Sequence, residues 1–515
     1  MASTNFIPND FHIFSPLGVV ISFGIFAVVG IIYTIGWGIY NLYFHPLSHI
    51  PGPFLARASG IPYSVHMRSG SIAPWIQYVH KTYGDAVRIS PGEVSFISGE
   101  TAWQDIYGFR IKQHKTPPYL KDRTWLPPPI NGTYSLIGAD EAAHSRARRN
   151  LSHAFSDKAL RDQEPLIQGF VDLLVKSLKE ECDNGKTVDI MRWYNYTTFD
   201  VIADLTFGEP LYCLRDKGYH PWVRLVFATA ASFGFLSTRR KYAYFDYYDR
   251  LRDLFKDHSA ILRARKQFFD LTRSKVAARI EKGVDRPDFF THVLKNQESE
   301  EKALTREEMD SNAVLFLVAG SETTATVLSG TTFLVLRDEA IYEKLVAEVR
   351  GRFKSEEEIT IEEVNKLGYM IACLQEGLRY YPPVPTGFPR VVPVGGDTIS
   401  GRWIPEGTAV QISQHAANHS PRNFKDPDSF VPERWLGSEK YKDDNRAVVN
   451  PFSFGPRNCL GKNLAYAEMR LILAKVLFNF DIELVDKQEN WMSGQKVYTL
   501  WEKPALEVRL RAVER

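Results

Sequence analysis

Phe452-Ser453-Phe454-Gly455-Pro456-Arg457-Asn458-Cys459-Leu460-Gly461 runs directly into KNLAYAEMRLILAKVLF, Lys462 to Phe478. The first half is rich in Gly, Pro and Asn and reads as a loop. The second half has the apolar spacing of a helix. Cys459 therefore sits at a helix start, where free N–H groups and the helix dipole favour a thiolate. Gly455 permits a tight bend and a close backbone approach, and Gly461 leaves room for a flat ligand. Arg457 is placed to pair with a carboxylate. The alternative is a buried cysteine in a Gly-rich turn.

Outward from this loop, two charged segments follow one another. Glu376-Gly377-Leu378-Arg379 sets opposite charges at i and i+3 on one helix face. Phe430-Val431-Pro432-Glu433-Arg434-Trp435 comes later. Taken alone, the first is an ordinary surface pair. Further upstream, Ala319-Gly320-Ser321-Glu322-Thr323-Thr324 interrupts an apolar run, Ala313 to Val318, with an acid and hydroxyls. Burying them costs free energy unless they are satisfied. Helix packing, with threonine hydroxyls bonded to the preceding turn, is one explanation. A polar catalytic pocket is the other.

Together these segments resemble the cytochrome P450 family. The cysteine loop has the pattern F-x-x-G-x-R-x-C-x-G, the E-x-x-R pair is Glu376 and Arg379, and Arg434 lies in a PERF-like segment with Trp435 in place of Phe. The segment 319–324 is similar to A-G-x-D/E-T, with Glu322 for the commoner Asp. The resemblance covers nearly the whole chain. It implies a mainly α fold with small β-sheets, and haem b held by Cys459 as axial ligand of the iron, with Phe452, Gly455, Arg457 and Gly461 around it. It also implies an oxygen pocket in which Thr323 and Glu322 manage protons. It further implies that Glu376, Arg379 and Arg434 form a structural lock behind the haem. His144-Ser-Arg146-Ala-Arg148-Arg149 falls where the family carries W-x-x-x-R, so His144 and Arg148 are expected at one propionate and Arg390 at the other.

The implied activity is hydroxylation or epoxidation of a hydrophobic small molecule with O2. No G-x-G-x-x-G occurs in a strand–helix context, so NADPH electrons are expected through a separate NADPH–cytochrome P450 reductase. The anchor, the HPL…PGP segment and PRVVP resemble fungal membrane-bound members of specialised metabolism. That implies a terpenoid, polyketide or alkaloid intermediate as substrate. Two other readings compete: a haem-thiolate isomerase or dehydratase without a reductase, and a haem-based binding or sensor protein. The pairing of Thr323 with Glu322 favours the monooxygenase. Substrate contacts are expected from Trp125 to Ile137, Phe316, Ala319, Thr386 to Phe388 and Val497 to Thr499.

The rest of the chain fits this picture. Its 515 residues are 44% hydrophobic and 24% charged, with net charge +2, so no basic field suggests nucleic acid. The four cysteines have no CxxC or zinc spacing and suggest a reducing compartment. No Asp, Glu, Lys or Arg lies between Asp10 and Arg57, and Leu17 to Phe44 is long enough to cross a bilayer. Trp37, Tyr40 and Tyr43 sit at its end, as at a membrane interface. The lack of a basic n-region argues for a retained anchor over a cleaved signal peptide. Arg57 and Arg68 follow the span, which places the body in the cytoplasm and, by the resemblance, on the endoplasmic reticulum membrane as a single-pass protein.

The expected division is a short segment 1–16, an anchor 17–44, a proline-rich linker 45–56 and a catalytic body 57–515. The linker is either a rigid spacer or an ordinary connection. Within the body, strands are expected at Ala86–Ser90 and Glu93–Ile97 around Pro91-Gly92, and again between Val391 and Ile412 and near the C-terminus. A long helix is expected from the Thr305/Glu308 capping box to about Arg337, a short helical stretch from Thr360, and a helix ending near Tyr381 before Pro382.

Overall fold

The computed structural model describes residues 15–110, 116–183, 187–253, 259–284, 286–297, 302–485, 488 and 490–514. It is mainly helical, with small sheets at one side. Helix α1 spans Pro16–Ile39, α2 Glu141–Ser152, α3 Ile190–Phe207, α4 Arg306–Leu336, α5 Gly368–Tyr380 and α6 Lys462–Asn479.

Helix α4 is the axis of the fold. Its start is held by the expected capping box: Thr305 accepts from the Glu308 amide, and Glu308 accepts from the Thr305 amide. Most of its length is buried, so α4 has no polar face to give to water. It packs most extensively on α3 and then on α5, with α6 also against it. Helix α3 is capped by Asp189 and stops at Gly208, whose φ of 70° suits only glycine well. Helix α5 ends at Tyr380, before Pro382 and Pro383.

A five-stranded sheet flanks the helices in the order Ala86–Ser90, Glu93–Phe96, Ala409–Ile412, Arg390–Val391, Leu120–Lys121. Glu93–Phe96 and Ala409–Ile412 run parallel, and the other pairs are antiparallel. The last pair matters most for the site, because it sets Lys121 directly opposite Arg390.

The apolar side chains of α1 face outward, Phe23 and Phe26 among them. Helix α4 is also long and apolar, but it is core. Among the described residues one exposed apolar helix of spanning length thus remains, consistent with a single membrane anchor. It does not end in a loose tether. A π-helical turn, Tyr40–Phe44, follows α1 and buries Asn41 and Leu42 against the body. Asn41 Nδ2 donates to the Ala58 carbonyl at 3.0 Å, and Arg88 Nη1 donates to the Asn41 carbonyl at 2.7 Å.

The stretch 45–56, expected as a linker, is packed as well. Leu47 and Ile50 are fully buried. A Cβ at Gly52 would lie 2.3 Å from the Arg88 carbonyl oxygen, so only glycine lets the chain lie on that strand. Packing therefore begins at Asn41 rather than at Arg57, because apolar residues between the prolines find a groove on the body.

Deleting residues 1–38 keeps this docked turn. The shortened protein is expected to move into the supernatant on carbonate extraction with an unchanged melting temperature of the body. Retention in the pellet would mean that the exposed Phe54, Leu55, Ile61 and Val65 hold the body to lipid on their own.

Candidate active site

A cavity of about 240 Å³ lies between α4 and the loop that carries Cys459. Backbone closes the loop on itself: the Cys459 amide donates to the Phe452 carbonyl at 2.8 Å. Gly455 has φ 72°, and a Cβ there would fall 1.9 Å from the Tyr107 carbonyl oxygen. No other residue fits that turn. Cys459 lies deep in the body yet is open to the cavity. Burial pushes its thiol pKa up, while the Gly461 amide, Arg148 and Lys462 pull it down. The helix start thus acts in the expected direction, but desolvation outweighs it. At Gly461 a Cβ would meet nothing nearer than Phe155 Cε1 at 3.8 Å. The space above it belongs to the cavity, as a flat ligand would need.

One side of the site is cationic. Arg148 donates to the Asn458 carbonyl at 2.5 Å and to Asn458 Oδ1 at 2.6 Å, which ties α2 to the cysteine loop. Arg457 donates to the Ala139 carbonyl at 2.9 Å and pairs with Glu141 at 3.1 Å. Arg390 is buried, its Nη1 reaches the Tyr119 carbonyl at 3.5 Å, and its Nε has no partner. Burial lowers its pKa to about 10.

Lys121 sits 4.5 Å from the Phe388 ring and lines the cavity. Burial, then Arg390 and Arg457, push its ammonium well below the usual lysine range. His144 lies buried among them. Burial and then Arg457, Arg148, Lys121 and Arg390 hold its pKa at about 3, so the ring is neutral. Among the described residues, the only ion pair that Lys121, Arg148, Arg390 and Arg457 make is Arg457 with Glu141. A group bringing two carboxylates would relieve this excess charge.

The opposite wall is α4. Ala319, Gly320, Thr323 and Thr324 line the cavity. Thr323 Oγ1 donates to the Ala319 carbonyl at 2.7 Å, the back-bond to the preceding turn. A Cβ at Gly320 would meet Ile202 Cδ1 at 2.5 Å, so this glycine serves the close packing of α4 on α3.

Glu322 departs from expectation. It does not line this cavity. It is paired with Lys503, which also donates to Thr326 Oγ1 at 2.8 Å, and it faces a second cavity of about 310 Å³ beside Asn195, Tyr219 and Tyr498. The reason is helical geometry: adjacent residues are rotated by about 100° and do not share a face.

The apolar wall includes Leu136, Ile137, Leu315, Phe316, Ala319, Val384 and Phe388. Trp125 stands behind Phe388 at 5.4 Å between ring centroids. Residues 497–499, expected to touch substrate, do not reach this wall. Val497 is fully buried in a two-stranded hairpin, and Tyr498 lines the second cavity.

Glu376, Arg379 and Arg434 come together with no exposure at all. Arg379 meets Glu376 in a bidentate pair at 2.8 and 2.9 Å, and Arg434 Nε reaches Glu376 Oε1 at 3.1 Å. Asp444 pairs with Arg434 at 2.7 Å, so two acids balance two guanidiniums. Trp435 adds a bond that phenylalanine could not: its indole N–H donates to Glu376 Oε2 at 2.9 Å.

Motif reasoning missed Lys121, Lys503 and Glu468. The first two carry no local signal. Glu468 had one: Leu464, Glu468 and Leu471 share the i, i+4, i+7 stripe of α6, so an acid stands on a core face.

Residues 59–508 match the sequence model of the family described as Cytochrome P450. The chain is 47% identical over 491 residues to cytochrome P450 monooxygenase lcsI of Purpureocillium lilacinum, covering 95% of this chain and 93% of the relative. It is 48% identical over 494 residues to cytochrome P450 monooxygenase traB of Penicillium crustosum, covering 95% and 96%. Cytochrome P450 monooxygenase tpeC of Talaromyces stipitatus is 41% identical over 514 residues, covering 98% of each chain.

Proposed function

The chain belongs to the cytochrome P450 family and is a monooxygenase that uses O2, and we propose that it oxidises a hydrophobic intermediate of fungal specialised metabolism at a haem held by Cys459. The observation that carries this reading is the cavity itself, with Cys459 on one wall, Thr323 on the other, an apolar lining and a buried cationic edge.

The residues present fit haem b. Cys459 would hold the haem iron through its thiolate. Arg148, Arg390, Arg457 and Lys121, with neutral His144, would hold the two propionates, and Gly461 leaves space for the ring. When bound, the haem iron supplies O2 binding and activation, and a thiolate ligand favours O–O cleavage.

The protein's own residues supply the rest. Leu315, Phe316, Val384 and Phe388 exclude water and hold an apolar substrate. Thr323 positions a proton and water at the α4 wall through its hydroxyl. The buried lock of Glu376 with Arg379 and Arg434 holds α5 to the segment that precedes the cysteine loop. Each turnover converts R–H, O2, NADPH and H⁺ to R–OH, water and NADP⁺. NADPH acts through a membrane-bound NADPH–cytochrome P450 reductase. We read the apolar helix α1 as a single anchor to the endoplasmic reticulum membrane with the body on its cytoplasmic face, a reading supported by Arg57 and Arg68 after the span. A terpenoid, polyketide or alkaloid intermediate suits the apolar wall.

Co-expression with the reductase in a strain that makes candidate intermediates, under isotope-labelled O2, tests this reading. One labelled oxygen atom in a new product is expected. An unlabelled rearranged or dehydrated product, formed without NADPH, would support an isomerase or dehydratase instead.

Thr323→Ala sharpens the test. Alanine keeps helix propensity, so haem content should match the parent protein. Product per NADPH is expected to fall several-fold, with hydrogen peroxide rising in its place. Unchanged coupling would remove the hydroxyl from proton handling.

A further inference from the structure

We propose that Asn312 and Ser311 are positioning residues that set the size of molecule the pocket accepts. Together with Asn131 they latch the loop between Lys121 and α2 onto α4, so that Leu136 and Ile137 form a fixed wall. The inference rests on the haem reading above and deepens it, because it names what discriminates between apolar substrates.

Phe316, Ala319 and Thr323 stand on the cavity face of α4, three or four residues apart. One turn earlier the same face carries Asn312, with Ser311 beside it. These side chains are 2% and 8% exposed, so they cost free energy unless they are paired. Asn312 Oδ1 accepts from the Leu136 amide at 2.9 Å, and its Nδ2 donates to the Glu308 carbonyl, one turn back, at 2.8 Å. The amide is therefore held at both ends. Ser311 Oγ donates to the Thr133 carbonyl at 2.9 Å and lies 3.1 Å from Asn131 Oδ1. Asn131 in turn donates to the Glu307 carbonyl at 2.9 Å, and its Oδ1 accepts from the Thr133 amide at 3.1 Å. Residues 131–136 are thus stitched to the first two turns of α4.

The upstream part of the loop is held as well. Pro127, Pro128 and Pro129 stiffen it. From the helices Pro221–Lys241 and Ser259–Glu281, Arg240 donates to the Leu126 carbonyl and Arg265 to the Pro128 carbonyl. Trp125 packs edge-on against Phe233 at 4.5 Å and Phe388 at 5.4 Å between ring centroids. A loop tied to three helices has little freedom left to lose when a ligand arrives. Leu136 and Ile137 enter the cavity wall directly at the Asn312 tie. A wall held in this way does not retreat from an oversized ligand. In an apolar pocket, a misfit of one methylene changes selectivity by about 10–200-fold.

Ties that served stability alone would behave differently. Cutting them would lower the melting temperature and leave the pocket's preferences as they were. Cutting a latch changes the preferences themselves, because Leu136 and Ile137 gain room to move. Asn312 acts through these two residues.

The experiment uses the full-length haem-loaded protein, with phenylimidazole as the compact probe and clotrimazole as the bulky one. Each carries an imidazole nitrogen that ligates haem iron and shifts its absorption band, so titration gives both affinities without the natural substrate. Asn312→Leu keeps the volume and removes the acceptor for the Leu136 amide. Asn131→Ala cuts the neighbouring tie from the loop side, at a half-buried position. In both variants the affinity for clotrimazole relative to phenylimidazole is expected to rise about ten-fold over the parent. Asn312→Asp keeps the acceptor and should keep the parental ratio. A ratio unmoved in either Asn312→Leu or Asn131→Ala, or raised equally in Asn312→Asp, overturns the proposal. A lower melting temperature with an unchanged ratio does the same, because it makes the ties purely structural. A parent protein whose band does not shift with imidazole itself would instead overturn the haem reading on which the proposal rests.

Discussion

Replacing Cys459 with alanine or histidine is expected to abolish turnover and the absorption band that a reduced, carbon monoxide-bound haem owes to a thiolate ligand. No other cysteine can take its place. Cys213 and Cys373 are buried in the core, Cys182 is partly exposed, and none lines the cavity. Burial and the Asp200 carboxylate push the Cys213 thiol up to about 12, so it is an inert core side chain. Alanine should preserve the loop, because its shape rests on the Cys459 amide, Gly455 and Pro456 rather than on the sulfur. Histidine offers a nitrogen ligand and should shift the band rather than keep it. The carbon monoxide difference spectrum decides the matter, and an unchanged band in either variant would remove the central assignment.

The second large effect is expected at Glu376. Its carboxyl accepts from Arg379, Arg434, Trp435 and the Val431 amide, with no exposure to water. Glu376→Ala leaves two buried guanidiniums facing one remaining acid, Asp444. Removing one partner of such a buried cluster costs about 3–5 kcal/mol, a large share of the stability of most proteins. The variant should accumulate poorly and incorporate little haem.

Burial raises the carboxyl pKa of Glu376, but Arg379 and the other donors outweigh it and hold the pKa below its ordinary value. The stabilisation is therefore complete at neutral pH and is lost as pH falls through the folded-state pKa. Glu376→Gln, which keeps the shape and removes the charge, should lie between the alanine variant and the parent. Thermal unfolding and haem-to-protein ratio measure both. A Glu376→Ala protein with parental melting temperature and haem content would mean that the cluster is not a structural lock.

Much of this protein was legible from short stretches. The turn at Gly455, the start of α4 at the Thr305 capping box, the end of α5 before Pro382 and the apolar length of α1 each depend on a few consecutive residues. In each case one local rule governs: a backbone angle that excludes side chains, an amide that needs an acceptor, a ring with no N–H, or enough apolar residues to span lipid. The pairing of Glu376 with Arg379 is local too, being one helical turn.

What tertiary structure decided was facing and partnership. Glu322 and Thr323 are neighbours in sequence, but α4 turns them to different cavities, and Lys503 from the C-terminal hairpin claims the acid. Lys121 reaches the cationic edge only because a two-residue strand pairs with Arg390–Val391. The prolines between residues 45 and 56 look like a connection, yet Leu47 and Ile50 bury themselves on the body. Glu468 looked like one polar residue on an apolar stripe until packing set it in the cavity wall together with Thr324. Sequence spacing determines which side chains share a face of their own helix or loop. Which neighbour that face meets, and so which buried charges are paired, neutral or poised, follows from packing between segments hundreds of residues apart.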